Sequence, residues 1–291
     1  MFDCAPDLPP CRASAGLIPL QQTRLWQGAV QAMGSDALME DLLGRQVLVL
    51  RKRLPLVGEL ALVSRADMGL TPQGAASLRA RLGARHLVVN AETPGDAMAL
   101  AAAGFHRIAA PRRVADLVLR SDAAEMARAL APKWRNRLRH GQAQGLVLRR
   151  RAMPADPDHW LLRAEARQAA RLWYQPLPPE MIAALAAARP GAAQLFTAYH
   201  MGQRVAAMLF LRHGRDATYQ IGWTGEAGRK RSAGPVLMWQ AMVDLQQMGV
   251  DRIDLGAADP DAAPGLARFK LGTGAQLRTL GGSWLDTAWA R

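Results

Sequence analysis

Two stretches of the chain carry the apolar patterning of paired strands. Residues 44–63, GRQVLVLRKRLPLVGELALV, open on a glycine-led turn and continue as two apolar runs. Residues 202–222, GQRVAAMLFLRHGRDATYQIG, follow the same plan. Each predicts an antiparallel strand pair. Further on, GARHLVVNAE (83–92) and GVDRIDLGAAD (249–259) each combine a glycine, a basic residue and a short apolar strand with an acid at its end. AAAGFHRI (101–108) then parallels GLARFKLGTG (265–274). The order is the same twice, which predicts a duplicated domain rather than a solenoid. Chance similarity between short segments is the alternative.

Between these strands the period changes to that of helices. DAAEMARAL (122–130) begins with Asp122 and Glu125 at capping-box spacing. KWRNRLRH (133–140) follows Pro132 and runs up to Gly141, a suitable residue just past a helix end. DHWLLRAEARQAARLW (158–173) predicts a long helix and PPEMIAALAAARPG a shorter one. GPVLMWQAMVDLQQMG (234–249) has Pro235 at its start and Gly249 at its end, the expected asymmetry. Strand pair, helix, strand and a further element in each half give a mixed α/β (α+β) fold.

Composition narrows the class. Half of the 291 residues are hydrophobic and 21% are charged, which suits a globular protein of one large or two ordinary domains. No apolar run reaches the ~18–20 residues that span a bilayer. The first residues, MFDCAPDLPPCRASAG, lack the apolar core of a signal peptide, so a flexible arm over 1–16 and a cytoplasmic location are expected. Cys4 and Cys11 fit no common zinc spacing, and the six histidines show no H-x-x-x-H pattern. No metal site is expected, and no bound cofactor.

The net charge of +13 points to an anionic partner: nucleic acid, anionic lipid or a phosphorylated ligand. Residues 128–151 hold eight Lys/Arg and no acid, denser than a scattered arginine bias would give. On the helix at 133–140, Trp134 and Leu138 share a face, with Lys133 and Arg137 on one flank and Arg135 and Arg139 on the other. That arrangement grips phosphates, or it is a solvated helix whose long side chains cover a buried tryptophan. Arg163, Arg167 and Arg171 line up at i, i+4 and i+8 and repel one another unless an anion or acids elsewhere in the fold meet them. GRKRSAGPVLMWQ (228–240) carries a basic loop into a helix N-terminus, a ready anion site. Its Arg231, Ser232 and Gly234 form an R-x-x-G that resembles the pyrophosphate loop of GNAT acyltransferases, without that motif's final small residue. No nucleophile motif of the G-x-S-x-G kind occurs.

Several segments, in order, resemble the Fem family of peptidoglycan-bridge aminoacyltransferases and the wider FemAB-like GNAT proteins. LQQTRLWQGAVQAMG (20–34), with Trp26, is similar to the family's opening Q-S-x-x-W. LRSDAAEMARALAPKWRNRLRHGQAQGLVLRR resembles its L…K-x-R-x-x-I-R-x-A-x-x-x-G-V segment. ATYQIGW, then GPVLMWQAMVDLQQMGVDRIDLG, resembles its Y-x-x-G strand, helix and D-L-G strand, and GLARFKLGTG its G-L-x-x-F-K-x-G-F-G signature.

The resemblance implies two tandem GNAT-like domains, each a mixed, mainly antiparallel sheet flanked by helices. The first is expected over 17–117 plus 281–291, because the family's C-terminal segment returns to it. The second, with the active site, is expected over 118–280. The resemblance also implies that Lys270 and Tyr219 act in catalysis, with Phe269 beside them. Phe269, Trp26, Arg135, Arg139, Arg167 and Arg171 are the substrate-binding candidates, and Arg231, Ser232 and Gly234 the donor-phosphate candidates. Lys270 is one of only four lysines in the chain. An ammonium there would stabilise the negative charge that builds on a carbonyl oxygen under attack by an amine.

Three features depart from the family. No lysine follows the opening tryptophan, Thr273 stands where the family has Phe, and the long helical arm of some members is missing. These bear on the peptidoglycan-nucleotide substrate more than on the fold. The expected activity is transfer of an aminoacyl group, from aminoacyl-tRNA, to an amine on an anionic acceptor such as a peptidoglycan precursor or peptide. The alternatives are an acyl-CoA-dependent N-acyltransferase and a non-enzymatic basic module for nucleic acid or an anionic membrane surface.

Overall fold

The computed structural model describes residues 16–55 and 58–287. Cys4, Cys11 and nearly all of the expected N-terminal arm lie outside the described residues.

Two sheets organise the chain. The first comprises β1 (Asp36–Leu42), β2 (Arg45–Leu54), β3 (Gly58–Ser64), β4 (His86–Ala91), β5 (His106–Ala109) and β13 (Gly282–Thr287), in the order β1-β2-β3-β4-β13-β5. The second comprises β6 (Arg113–Val118), β7 (Val147–Ala152), β8 (Ala193–His200), β9 (Gln203–His213), β10 (Asp216–Thr224), β11 (Arg252–Ala257) and β12 (Gln276–Thr279), in the order β12-β6-β11-β10-β9-β8-β7. Setting aside β7, the two orders correspond strand for strand. Each has one parallel contact in that core, β3 with β4 and β10 with β11. The pairs expected over 44–63 and 202–222 are the antiparallel β2–β3 and β9–β10.

The halves exchange a strand. β13 follows the second half, yet it inserts between β4 and β5 of the first sheet. β6 follows the first half, yet it pairs with β11 and β12 of the second. The domain boundary expected at 117 is therefore corrected: residues 113–117 belong with the second sheet. Val114, Ala115 and Leu117 are buried there, which is the physical reason.

Helices cover the sheets. They are α1 (Arg24–Ala32), α2 (Pro72–Leu82), α3 (Pro94–Ala102), α4 (Ala123–Ala129), α5 (Pro132–Gln142), α6 (Trp160–Leu172), α7 (Pro179–Ala188), α8 (Glu226–Lys230), α9 (Ala233–Gln247) and α10 (Pro264–Leu271). Asp122 caps α4 by accepting from the Glu125 amide at 2.7 Å. Gly141 does not end α5, as its sequence position suggested; the helix runs through Gln142. Its lack of a side chain serves packing instead. A Cβ there would lie 2.5 Å from Val236 Cγ2, 2.8 Å from the Ser232 carbonyl and 3.1 Å from that of Arg231. The third echo is also different in detail: Phe269 and Lys270 lie inside α10, whereas Phe105 and His106 lie past the end of α3.

One apolar core crosses between the halves. Leu20, Leu25, Trp26, Ala29 and Val30 pack with Leu161, Ile182, Leu185, Leu209 and Ile221. A polar network crosses beside the paired ends of β10 and β11. Arg65, just after β3, bonds Glu92 at 2.8 Å and Asp254 at 2.7 Å, while Arg278 bonds Glu92 at 2.6 Å and Asp116 at 3.1 Å.

Candidate active site

The second sheet opens where the first does not. β3 and β4 stay paired over five residues, Leu60–Ser64 with His86–Asn90. β10 and β11 pair over only three, Asp216–Thr218 with Arg252–Asp254, although β10 continues to Thr224. Both strands are bulged at the point of divergence, between Tyr219 and Ile221 and between Asp254 and Gly256. Bulges re-aim side chains and end pairing. The result is a fork in the sheet with backbone on both sides.

Lys270 enters this fork from α10. It is 6% exposed, and its Nζ donates to the Ala257 carbonyl of β11 at 2.8 Å. The ammonium also lies 5.6 Å from the centre of the Tyr219 ring. Burial pushes its pKa down to about 8, against the pull of the Asp254 carboxylate. Asp254 is held by Arg65 and by the Gly256 amide at 2.7 Å, so it pairs with Lys270 only through space. Phe269 packs toward Trp134 of α5, whose Nε1 donates to the Phe269 carbonyl at 3.0 Å. Gly272 makes room for that indole, since a Cβ would stand 2.5 Å from Trp134 Cδ1. Thr273, fully buried, donates its hydroxyl to the Lys270 carbonyl at 2.6 Å. The GLARFKLGTG signature thus has a physical content: Phe269, Gly272 and Thr273 fix α10 and aim Lys270.

Tyr219 stacks on Phe210 with centroids 5.2 Å apart. Burial, aided by the nearby Glu165, raises its pKa well above the ordinary phenol value, so it stays a hydrogen-bond donor. Its hydroxyl occupies the space over Gly222, where a Cβ would come within 1.7 Å of it. Gly222→Ala is expected to displace the phenol and cut turnover about tenfold or more, the loss of an aligned donor in the site, while the protein stays folded. Steady-state rates beside a melting curve check this.

A second group reaches the fork from α6. Glu165 is buried and accepts from the Tyr174 hydroxyl at 2.8 Å. Gln168 bridges Tyr174, at 3.0 Å, to the Gly222 carbonyl on the bulged strand, at 3.1 Å. Burial raises the Glu165 pKa, partly offset by the Tyr174 bond. Sequence reasoning missed this group. The i, i+3 spacing of Glu165 and Gln168 was a signal, but their facing a bulge on β10 is visible only in three dimensions.

The other candidates divide. Arg167 and Arg171 are exposed on α6, with no hydrogen bond or ion pair among the described residues. Arg139 on α5 is likewise exposed and unpaired among them. Arg163 donates to the Asp158 carbonyl. Arg135 is corrected from substrate binder to structural cap: it donates to the carbonyls of Arg128 at 3.2 Å and Leu130 at 3.0 Å, closing α4. Trp26 is corrected likewise, because it is buried in the core that α1 shares with α7.

The R-x-x-G loop is built into packing. Arg231 donates to the Ala227 carbonyl at 3.1 Å. Ser232 makes no cap and lies 3.3 Å from His140 Nδ1. Gly234 is buried, and a Cβ there would meet Phe269 and Thr224 at 3.7 Å.

Fold and fork together define an acyltransferase made of two GNAT-like halves. Residues 127–275, just over half of the chain, match the acetyltransferase (GNAT) domain family, and the chain belongs to it. Among solved structures it is similar to FemX, at 15% identity over 92% of each chain with a TM-score of 0.70. It is also similar to the C-terminal domain (DUF2156) of a candidate lysylphosphatidylglycerol synthetase from Agrobacterium fabrum, at 12% identity over 91% of this chain and 88% of that one, TM-score 0.54. L-PGS from Bacillus licheniformis aligns at 11% identity over 91% and 90%, TM-score 0.51. These are likenesses of fold, and the fold is the FemAB-like one that the sequence motifs led us to expect. A comparison with curated proteins finds no match. Among the described residues no helix is long and apolar enough to cross a membrane.

Proposed function

We propose that the protein moves an aminoacyl group from aminoacyl-tRNA to an amine on an anionic acceptor, such as a peptidoglycan precursor or peptide, in the cytoplasm. The observation that carries this is the buried Lys270 ammonium at the fork where β10 and β11 stop pairing. The acceptor amine attacks the ester carbonyl, forming a C–N bond. Negative charge collects on the carbonyl oxygen, which Lys270 stabilises. The C–O bond then breaks and the ribose oxygen takes a proton from water or from the protonated Glu165 relay, leaving as a hydroxyl. The amine's surplus proton passes through Tyr174 to Glu165 or to water. Arg167 and Arg171 hold the acceptor's negative groups.

Two features favour RNA as donor over acyl-CoA. Helix α5 packs against the loop that would take a pyrophosphate, with Gly141 touching its carbonyls. The +13 charge leaves unpaired arginines to meet a phosphate backbone. Membership of an acetyltransferase family favours the acyl-CoA reading. Purified protein is therefore titrated with bulk aminoacyl-tRNA and with acetyl-CoA at low and high salt, followed by a transfer assay. Salt-sensitive tRNA binding with transfer is expected. CoA binding that is lost on changing Gly234 would replace this reading with the acyl-CoA one.

Glu165→Gln tests the proton route. Activity needs the carboxylate, so the wild-type rate should fall as pH drops through the raised Glu165 pKa. The variant should lose that acid limb. Water remains as an outlet, so the loss at neutral pH is expected to be about tenfold, below the ~10²–10⁴ of an obligatory base. An unchanged pH profile removes Glu165 from the route.

A further inference from the structure

A groove of about 480 Å³ lies on the second half, lined by Trp160, Tyr199, Gly202, Gln203, Arg204 and Trp223. Its size falls within the ~300–1,000 Å³ common for ligand sites. It sits between the start of α6 and the turn joining β8 to β9. The composition of its wall is specific. Trp160 and Trp223 meet edge to face, 5.5 Å apart. The Arg204 guanidinium lies 5.0 Å over the Trp160 ring, and Arg149 of β7 lies 5.3 Å over Tyr199. No lining residue is acidic, and Gln203 is exposed with an amide that both donates and accepts. Neither arginine is spent: Arg149 and Arg204 are exposed and make no ion pair among the described residues.

Two indoles meeting edge to face, a guanidinium over one of them and further positive charge nearby match one ligand chemistry. A planar base stacks on the rings or on arginine faces, and its phosphate meets the remaining charge. A neutral sugar would stack on tryptophan without using the arginines, and an acyl chain would use neither the charge nor the amide. We infer that this groove holds an unpaired nucleotide of a single-stranded RNA segment. Trp223 lies on the same strand as Tyr219, so the groove and the fork are built on one β-strand, β10. Taking the strand to be the donor's 3′ end rests on the function proposed above; the stacking site itself does not.

The test is quenching of tryptophan fluorescence by the ribonucleotide ACCA, with UDP and a peptidoglycan disaccharide as separate arms. Arg204→Ala is a surface change, and Trp160→Ala is its core-facing companion. ACCA should quench and saturate, and each variant should weaken it at least about fivefold, the lower end of a ~1–3 kcal/mol stacking contact. Arg204→Ala should also raise KM for aminoacyl-tRNA with kcat held. Aminoacyl-tRNA transfer in which Arg204→Ala changes neither KM nor quenching overturns the groove assignment and leaves the donor reading in place. Arg204-dependent ACCA binding without any such transfer does the reverse. Quenching by UDP or the disaccharide but not ACCA also overturns the assignment.

Discussion

Lys270→Met is expected to leave a folded protein whose turnover is about 10²–10³-fold lower, the usual loss when one oxyanion donor is removed. Stability should not fall with it. The folded-state pKa of Lys270 is lowered from 10.5 to about 8, so folding disfavours its charged form. That penalty is complete below pH 8 and is relieved as pH rises from about 8 toward 10.5. Methionine removes it at neutral pH, and the lost bond to the Ala257 carbonyl offsets part of the gain. The melting temperature at pH 7 should therefore stay level or rise. The wild-type rate should decline above pH ~8 as the ammonium loses its proton. Lys270→Arg, charged throughout, should lose this alkaline limb whatever rate remains. Turnover within threefold of wild type for the methionine variant would remove the role assigned to Lys270 and leave the oxyanion to another donor in the fork.

Much of this arrangement was legible in the chain, for reasons that differ by residue. The strand pairs could be read because their faces are covered and their apolar residues are continuous, as in 205–211. Lys270 stood out because lysine is rare here and its neighbours formed an ordered signature. Arg135 and Trp26 misled because residue type does not reveal a partner. An arginine that caps a neighbouring helix and one that waits for phosphate look alike in sequence. The exchange of β6 and β13 was half visible, since pairing between distant strands leaves no local trace. The same holds for the fork, which depends on where two strands stop pairing. Glu165 escaped notice for a similar reason, because its burial depends on Tyr174 and the bulge of β10.

Arg65→Met should be the most destabilising single change outside the apolar core, and it should also alter catalysis. Arg65 is one of two arginines that tie the halves together: its guanidinium bonds Glu92, just past β4 of the first sheet, and Asp254 of the second. Glu92 and Asp254 are almost wholly buried, with side chains 5% and 2% exposed. Although burial pulls the other way, these carboxylates hold the Arg65 pKa above its ordinary value. Removing one partner of a buried pair leaves an uncompensated charge and costs about 3–5 kcal/mol. For a chain of this size that lowers the melting temperature by on the order of 10 °C. The two acids are not affected equally. Glu92 keeps Arg278 at 2.6 Å, but Asp254 keeps only the Gly256 amide. Its freed charge acts on Lys270, whose ammonium it already favours. The alkaline limb of the rate profile should then move to higher pH in the variant, while Arg278→Met, which leaves Asp254 paired, should move it little. A melting temperature close to wild type would show that the cross-sheet pair contributes nothing to stability. A destabilised variant with an unmoved alkaline limb would show that Asp254 does not set the charge of Lys270.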